Sequence, residues 1–149
     1  MMNEYSITFY DLSSQAEVFN YVVIAASYNG SWVWVRKKGM QEWEMPTGHV
    51  EIDEKPEEAA RRELWEESGA VEFELYPVCD FSIEHGTRKS HNRLFYAQVT
   101  QMGELPNFEM EEVSLRKTLP DKCTYGNVHP VLLDKVMRML DSLDLKNHY

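Results

Sequence analysis

The chain has 149 residues, 15 basic and 25 acidic, for a formal net charge of −10. That length suits one domain around one core. A surface this acidic repels a phosphate backbone and argues against nucleic-acid binding by bulk electrostatics, although a bound divalent cation can invert the sign locally. Cys79 and Cys123 lack CxxC spacing, so neither a disulfide framework nor a zinc knuckle is expected, and two reduced thiols fit a cytoplasmic protein. Met1 to Tyr5 lacks the basic start and apolar run of a signal peptide. No stretch reaches the ~20 apolar residues of a membrane span, so no membrane partner is expected.

In chain order, Ser6 to Tyr10 alternates polar and apolar residues and reads as a half-buried strand. Tyr21 to Ala26 is apolar and partly β-branched, which predicts a more buried strand. Asn29-Gly30 is a turn signal, and Trp32 to Val35 follows it, so residues 21–36 read as a hairpin. Residues 37–55 are rich in glycine, proline and charge and read as a loop with short extended pieces. Pro56 opens a helix that Asp53 or Glu54 can cap; Glu57 and Glu58 suit its positive end, and Gly69 stops it. Strands are expected over Ala70 to Ile83 and Arg93 to Thr100, with a polar loop from Glu84 to Asn92 between them. Residues 101–112 read as a second polar loop and Val113 to Leu119 as a last strand. Pro130 starts an amphipathic helix in which Leu132, Leu133, Val136, Met139, Leu140 and Leu143 recur at helical spacing. No repeat or linker divides residues 1–149, so the expectation is one mixed α/β sandwich domain.

The Pro56–Ser68 helix carries an unusual charge pattern. Glu57 can meet Arg61, and Glu58 can meet Arg62, at i,i+4. On another face Glu63, Glu66 and Glu67 fall within an arc of roughly 100°, beside the small Ala59 and Ala60. Glu63 and Glu67 are themselves i,i+4, and such like-charge pairs cost a few tenths of a kcal/mol each. A solvated acidic face would balance each carboxylate with a base. This one does not, and oxygen-only ligands suit Mg²⁺ or Mn²⁺ rather than zinc, while the helix pattern alone leaves a solvated acidic face as an equal alternative. In the preceding loop, Gly48 lets backbone approach a ligand and can offer a carbonyl oxygen, while Arg62 can orient a neighbouring carboxylate.

These residues resemble a known family. Residues 48–70, GHVEIDEKPEEAARRELWEESGA, match the Nudix box at Gly48, Glu54, Arg62-Glu63-Leu64, Glu66-Glu67 and Gly69. Trp43-Glu44-Met45-Pro46 resembles the family's lead-in strand. Two positions depart from the pattern: Ala70 is smaller than the usual aliphatic residue, and Thr47 replaces the usual second glycine of the lead-in.

The resemblance implies a Nudix-type α/β/α sandwich with a mixed sheet and a MutT-like hydrolase. It implies Glu63, Glu66, Glu67 and the Gly48 carbonyl as metal ligands for Mg²⁺, with Mn²⁺ able to substitute. Arg62 would orient a box glutamate, and Glu54 and Glu51 are further acidic positions of the pattern. Glu109, in Glu109 to Val113, resembles the extra carboxylate many members take from a later loop; a solvated loop carboxylate is the competing reading. Glu63, Glu67 and the 109–112 loop all stand as sources of the general base. The implied partner is a small nucleotide, and a homodimer is compatible with the family.

The expected activity is cleavage of a phosphoanhydride bond in a nucleoside diphosphate derivative. The leading substrate is a nucleoside triphosphate, such as oxidised dGTP. ADP-sugars or dinucleoside polyphosphates stand as alternatives, as does a catalytically silent nucleotide-binding module. Other conspicuous residues read more simply. Trp32 and Trp34 share a strand face and fit packing better than base stacking. Trp65 falls opposite the carboxylate arc and should pack or anchor the helix. His85 and His91 flank a basic stretch, Arg88, Lys89 and Arg93, that reads as a solvated loop.

Overall fold

A computed structural model describes residues 5–12 and 18–143. The leader reading of residues 1–4 lies outside them. Nine elements follow one another: β1 (Ser6–Tyr10), β2 (Tyr21–Tyr28), β3 (Ser31–Lys37), β4 (Thr47–His49), α1 (Pro56–Ser68), β5 (Ala70–His85), β6 (Arg88–Met102), β7 (Met110–Arg116) and α2 (Val128–Ser142). They build one mixed sheet in the order β1-β5-β6-β2-β3-β7, with β4 on β2. β2 and β6 run parallel along their whole overlap, and the other pairs are antiparallel.

The two-residue period of the strands explains the layering. Val23, Ala25, Trp32, Trp34, Leu94 and Tyr96 point to one face and pack with Val128, Leu132, Val136 and Leu140 of α2. Val22, Ile24, Ala26, Val33, Val35, Phe95 and Ala97 point to the other face and pack with Ala59, Ala60 and Leu64 of α1. A helix on each face makes the expected α/β/α sandwich, and β2, covered on both sides, has to be apolar at consecutive positions. Trp32 and Trp34 are core residues, edge-on to Tyr96 and His129 respectively.

Several expectations from the sequence need correction. The 21–36 hairpin pairs only at its tip, Ser27 with Trp32 and Tyr28 with Ser31. β3 then diverges to β7, while the start of β2 pairs with β4 at Tyr21–His49, Val22–Gly48 and Val23–Thr47. α1 packs across this forked part of the sheet, against β4, β2 and β3. Glu84 to Asn92 is no loop: β5 and β6 run on to a tight turn at Gly86, pairing as far as His85–Arg88. Polar residues there alternate on an exposed ribbon, a pattern that composition alone reads as loop. The stretch 101–112 holds strand at both ends, and β7 stops at Arg116 rather than Leu119. α2 starts at Val128, two residues before Pro130, and Leu143 lies beyond it, 59% exposed.

Neither Asp53 nor Glu54 caps α1. Lys55 is its N-cap, with its amide donating to Glu58 Oε1 at 2.8 Å. Asp53 adopts φ 66°, and Glu54 is occupied by Arg62. Gly69 ends the helix as expected, at φ 83°, where an L side chain is strained and a Cβ would meet the Glu104 carbonyl.

Candidate active site

α1, β4, the lead-in at Glu44 and the approach to β7 wall a cleft of about 350 Å³. Glu63, Glu66 and Glu67 line it from α1, Gly48 and Thr47 from β4, and Glu109 from the residue before β7. Every residue expected at the site therefore reaches one cavity, Glu109 included. Glu63 and Glu67 are buried, 8% and 4% exposed, because the alanines beside them draw the helix down onto the sheet.

Arg62 organises this wall. Its guanidinium grips Glu54 with two bonds, Nε to Oε2 at 2.8 Å and Nη2 to Oε1 at 2.9 Å. Nη1 donates to Glu63 Oε1 at 2.8 Å and to Glu66 Oε1 at 3.5 Å, and Nη2 donates to the His49 carbonyl at 3.0 Å. A planar fork suits such a multipoint grip, and lysine could not reproduce it. The bonds to Glu54 hold Arg62 above its ordinary pKa and hold Glu54 below the usual carboxylate range. The Glu54 carboxylate also accepts the Glu51 amide at 2.9 Å, tying the loop before α1 to the helix.

The two buried acids behave oppositely to Glu54. Burial, reinforced by Glu66, pushes Glu63 up to about 7 against the pull of Arg62. Burial pushes Glu67 up to about 9; the Thr47 amide, donating at 2.9 Å, opposes this, while Glu63, Glu44 and Glu109 add to it. These carboxylates crowd a poorly solvated cleft that holds less positive charge than they need.

Gly48 is demanded by the same crowding. A Cβ on it would overlap the Glu63 carboxylate, so backbone and acid are in direct contact. Among the described residues no three acids converge on one point: Glu63 and Glu66 turn toward Arg62, and Glu67 toward Thr47.

Glu44, Lys37, Tyr21, His49 and Tyr125 also line the cleft, and none of them was expected there as a site residue. Glu44 is 2% exposed and bridges to Val35 through both backbone groups. Burial raises its pKa, with Lys37 and Thr124 opposing. A lone carboxylate between Trp43 and Met45 was the available signal, because such a charge is costly to bury without a purpose. For Lys37, burial works to lower the pKa, but Glu44, Tyr125, Glu109 and Glu67 together hold it raised. His85 and His91 stand away from the cleft; His85 stacks on Tyr5, and His91 lies against Tyr10 and Phe19.

The NUDIX domain family model matches residues 18–121, most of the chain and every cleft residue except Tyr125. The chain belongs to the Nudix family. Curated relatives match this Nudix chain over part of its length. The RNA pyrophosphohydrolase of Methylococcus capsulatus is 40% identical over 50 residues, 34% of this chain and 26% of its own length. That of a Psychrobacter species is 38% identical over 58 residues, 39% of this chain and 31% of its own. The matched stretch thus spans less than a third of either relative. Among solved structures, the Bacillus subtilis pyrophosphohydrolase superposes with a TM-score of 0.76 at 22% identity, covering 89% of this chain and 90% of that one. That likeness establishes a common fold.

Proposed function

We propose that this chain hydrolyses a phosphoanhydride bond of a nucleoside triphosphate, releasing the monophosphate and pyrophosphate, with Mg²⁺ or Mn²⁺ bound in the acid cleft. The observation that carries the reading is the buried Glu63–Glu67 pair, with Glu63 pressed against Gly48 and Glu67 accepting the Thr47 amide. An all-oxygen donor set of this kind fits a hard divalent cation, with Glu63, Glu66, Glu67 and the Gly48 carbonyl as the holders. Such a cation, when bound, neutralises phosphate oxygens and lowers the pKa of a nearby water.

The chain's own residues supply the rest. Arg62 fixes the approach of Glu63 and Glu66, so that loading requires rotation of side chains rather than of the helix. Glu109 faces α1 across the cleft and, with Glu67 and Glu63, is a candidate to take the proton of the attacking water. As that proton leaves, the water oxygen bonds to phosphorus and the bridging P–O bond breaks, the electron pair departing with the leaving phosphate. Lys37, held charged by the acids around it, is placed to meet phosphate oxygens.

One observation favours a second reading, the triphosphorylated 5′ end of RNA. A groove lined by Asn20, Tyr21, Ile83, His85, Arg88, Lys89 and Ser90 adjoins the site through Tyr21 and is locally basic on an otherwise acidic chain. The relatives' names point the same way.

The test is a Mg²⁺ and Mn²⁺ activity screen over nucleoside triphosphates, oxidised dGTP, ADP-sugars, dinucleoside polyphosphates and a 5′-triphosphorylated oligonucleotide, with products identified by mass. Monophosphate plus pyrophosphate from free triphosphates supports the first reading. Preference for the oligonucleotide, lost in Arg88→Ala/Lys89→Ala, supports the second. Thermal stabilisation by nucleotide without any turnover would mean a binding module instead.

A further inference from the structure

Glu109 reaches the acid cleft from residues 103–109, a stretch between β6 and β7 with no helix or strand of its own. From there its charge bears on Glu67, Glu44 and Lys37. Among the described residues no hydrogen bond or ion pair holds its side chain, so the backbone around it decides where the carboxylate goes.

That stretch is tied at both ends. The Gly103 amide donates to the Gly69 carbonyl at 2.7 Å, and the Lys38 amide donates to the Glu109 carbonyl at 3.0 Å. Lys38 Nζ also donates to Asn107 Oδ1 at 2.7 Å. These bonds run to the end of α1 and to the residue after β3, and none of them reaches the turns of α1 that carry the carboxylates. A ring contact does. Trp65 meets Phe108 edge-on, with centroids 6.0 Å apart and planes at 70°. Trp65 stands between Glu63 and the Glu66–Glu67 pair, and Phe108 immediately precedes Glu109. Core packing accounts for neither ring, since they are 44% and 50% exposed. Two large apolar side chains left half in water and touching one another join the two walls of the cleft from outside.

We propose that Trp65 and Phe108 are positioning residues, whose ring contact sets the distance of the Glu109 carboxylate from Glu63 and Glu67 during hydrolysis. Neither ring lines the acid cleft, so the pair acts on the rate through Glu109 and not on the substrate directly. The leverage is large, because misplacing a reacting group by about 1 Å costs about a hundredfold in rate. Without the contact, residues 103–109 keep their tied ends while Glu109 spends less time in the productive pose. The assignment rests on the reading that Glu109 serves phosphoanhydride hydrolysis.

A mutant cycle decides it, with steady-state kinetics in Mg²⁺ on whichever compound of the activity screen is cleaved fastest. Phe108→Ala, and independently Trp65→Ala, should lower kcat about fivefold or more with KM within about twofold of the parent, in protein that still melts cooperatively. Phe108→Tyr keeps the ring and should recover most of the lost rate. In a Glu109→Gln background, Phe108→Ala should cost less than about twofold further, the signature of a residue that acts through Glu109. Equal losses in both backgrounds, parent kcat in both alanine variants, a change confined to KM or full turnover in Glu109→Gln would overturn the assignment. So would loss of the cooperative melt in both alanine variants, which would make the pair structural. Each of those results leaves hydrolysis by the parent chain in place and spares the hydrolase reading; a parent chain that cleaves nothing in the screen sinks that reading, and the positioning role with it.

Discussion

At the scale of single residues, Glu67 is the first place to test the proposed chemistry, and its neighbours set its behaviour. It is buried against Thr47, and Glu63, Glu44 and Glu109 all push its charge away. Glu67→Gln keeps the volume and the bond from the Thr47 amide and removes the ionisable carboxyl group. Turnover should then fall by about 10²–10⁴, the usual range for a lost acid–base group, without loss of melting temperature in metal-free protein. Steady-state kinetics beside a thermal melt checks both halves; undiminished turnover would refute the role. Gly48→Ala asks a different question, because its Cβ has to displace the Glu63 carboxylate. Overpacking of this kind costs about 1–3 kcal/mol. The expected result in urea is a lower midpoint with an unchanged slope, accompanied by weaker metal dependence. Arg62→Lys retains the charge and loses the fork that spans Glu54 and Glu63. Activity should drop about 10–100-fold, as when other groups that orient metal ligands are removed.

At the scale of elements, α1 was readable almost to the residue. Pro56, the alternating charge pairs and Gly69 all speak locally, and the box glutamates lie within one helix. What stayed hidden was non-local. Lys55 caps the helix because Arg62 draws Glu54 away, a competition that no local propensity records. Glu44 and Lys37 enter the cleft only because β3 parts from β2 and turns to β7. The β5–β6 ribbon misled for the opposite reason: its polar tip resembles a loop, while pairing down to His85 and Arg88 keeps it a strand.

α2 carries its own test. His129 is buried neutral, with its pKa lowered to about 3 from 6.5. A depressed value means that its contribution to stability is fully present above pH 6.5 and is lost as the pH falls toward 3. Urea midpoints taken from pH 7 down to pH 4 should therefore fall more steeply for the parent chain than for His129→Gln. Parallel curves would show that the imidazole titrates freely.

Among the described residues, α1 and α2 cover opposite faces of a mixed sheet, and the acid cleft lies where α1, β4 and the approach to β7 meet. The α/β/α architecture followed from period-two strands and two amphipathic helices, so the layers were legible while the strand order was not. Parallel pairing of β2 with β6 joins residues about seventy positions apart, beyond the reach of any local pattern. The formal charge of −10 argued against nucleic acid, yet Arg88 and Lys89 give one groove the opposite local sign. If that groove steers a phosphate chain, cleavage of a 5′-triphosphorylated oligonucleotide should weaken with added salt more steeply than cleavage of a free nucleotide. Equal salt slopes would remove the groove from the account.

The most direct test of the central claim is hydrolysis in ¹⁸O-labelled water, with and without Mg²⁺, and with products resolved by mass. The account expects no turnover after chelation, turnover restored by Mg²⁺ or Mn²⁺, and a single ¹⁸O in one of the two phosphate products. Hydrolysis that proceeds undiminished in chelator, or persists unchanged in Glu67→Gln, would contradict it.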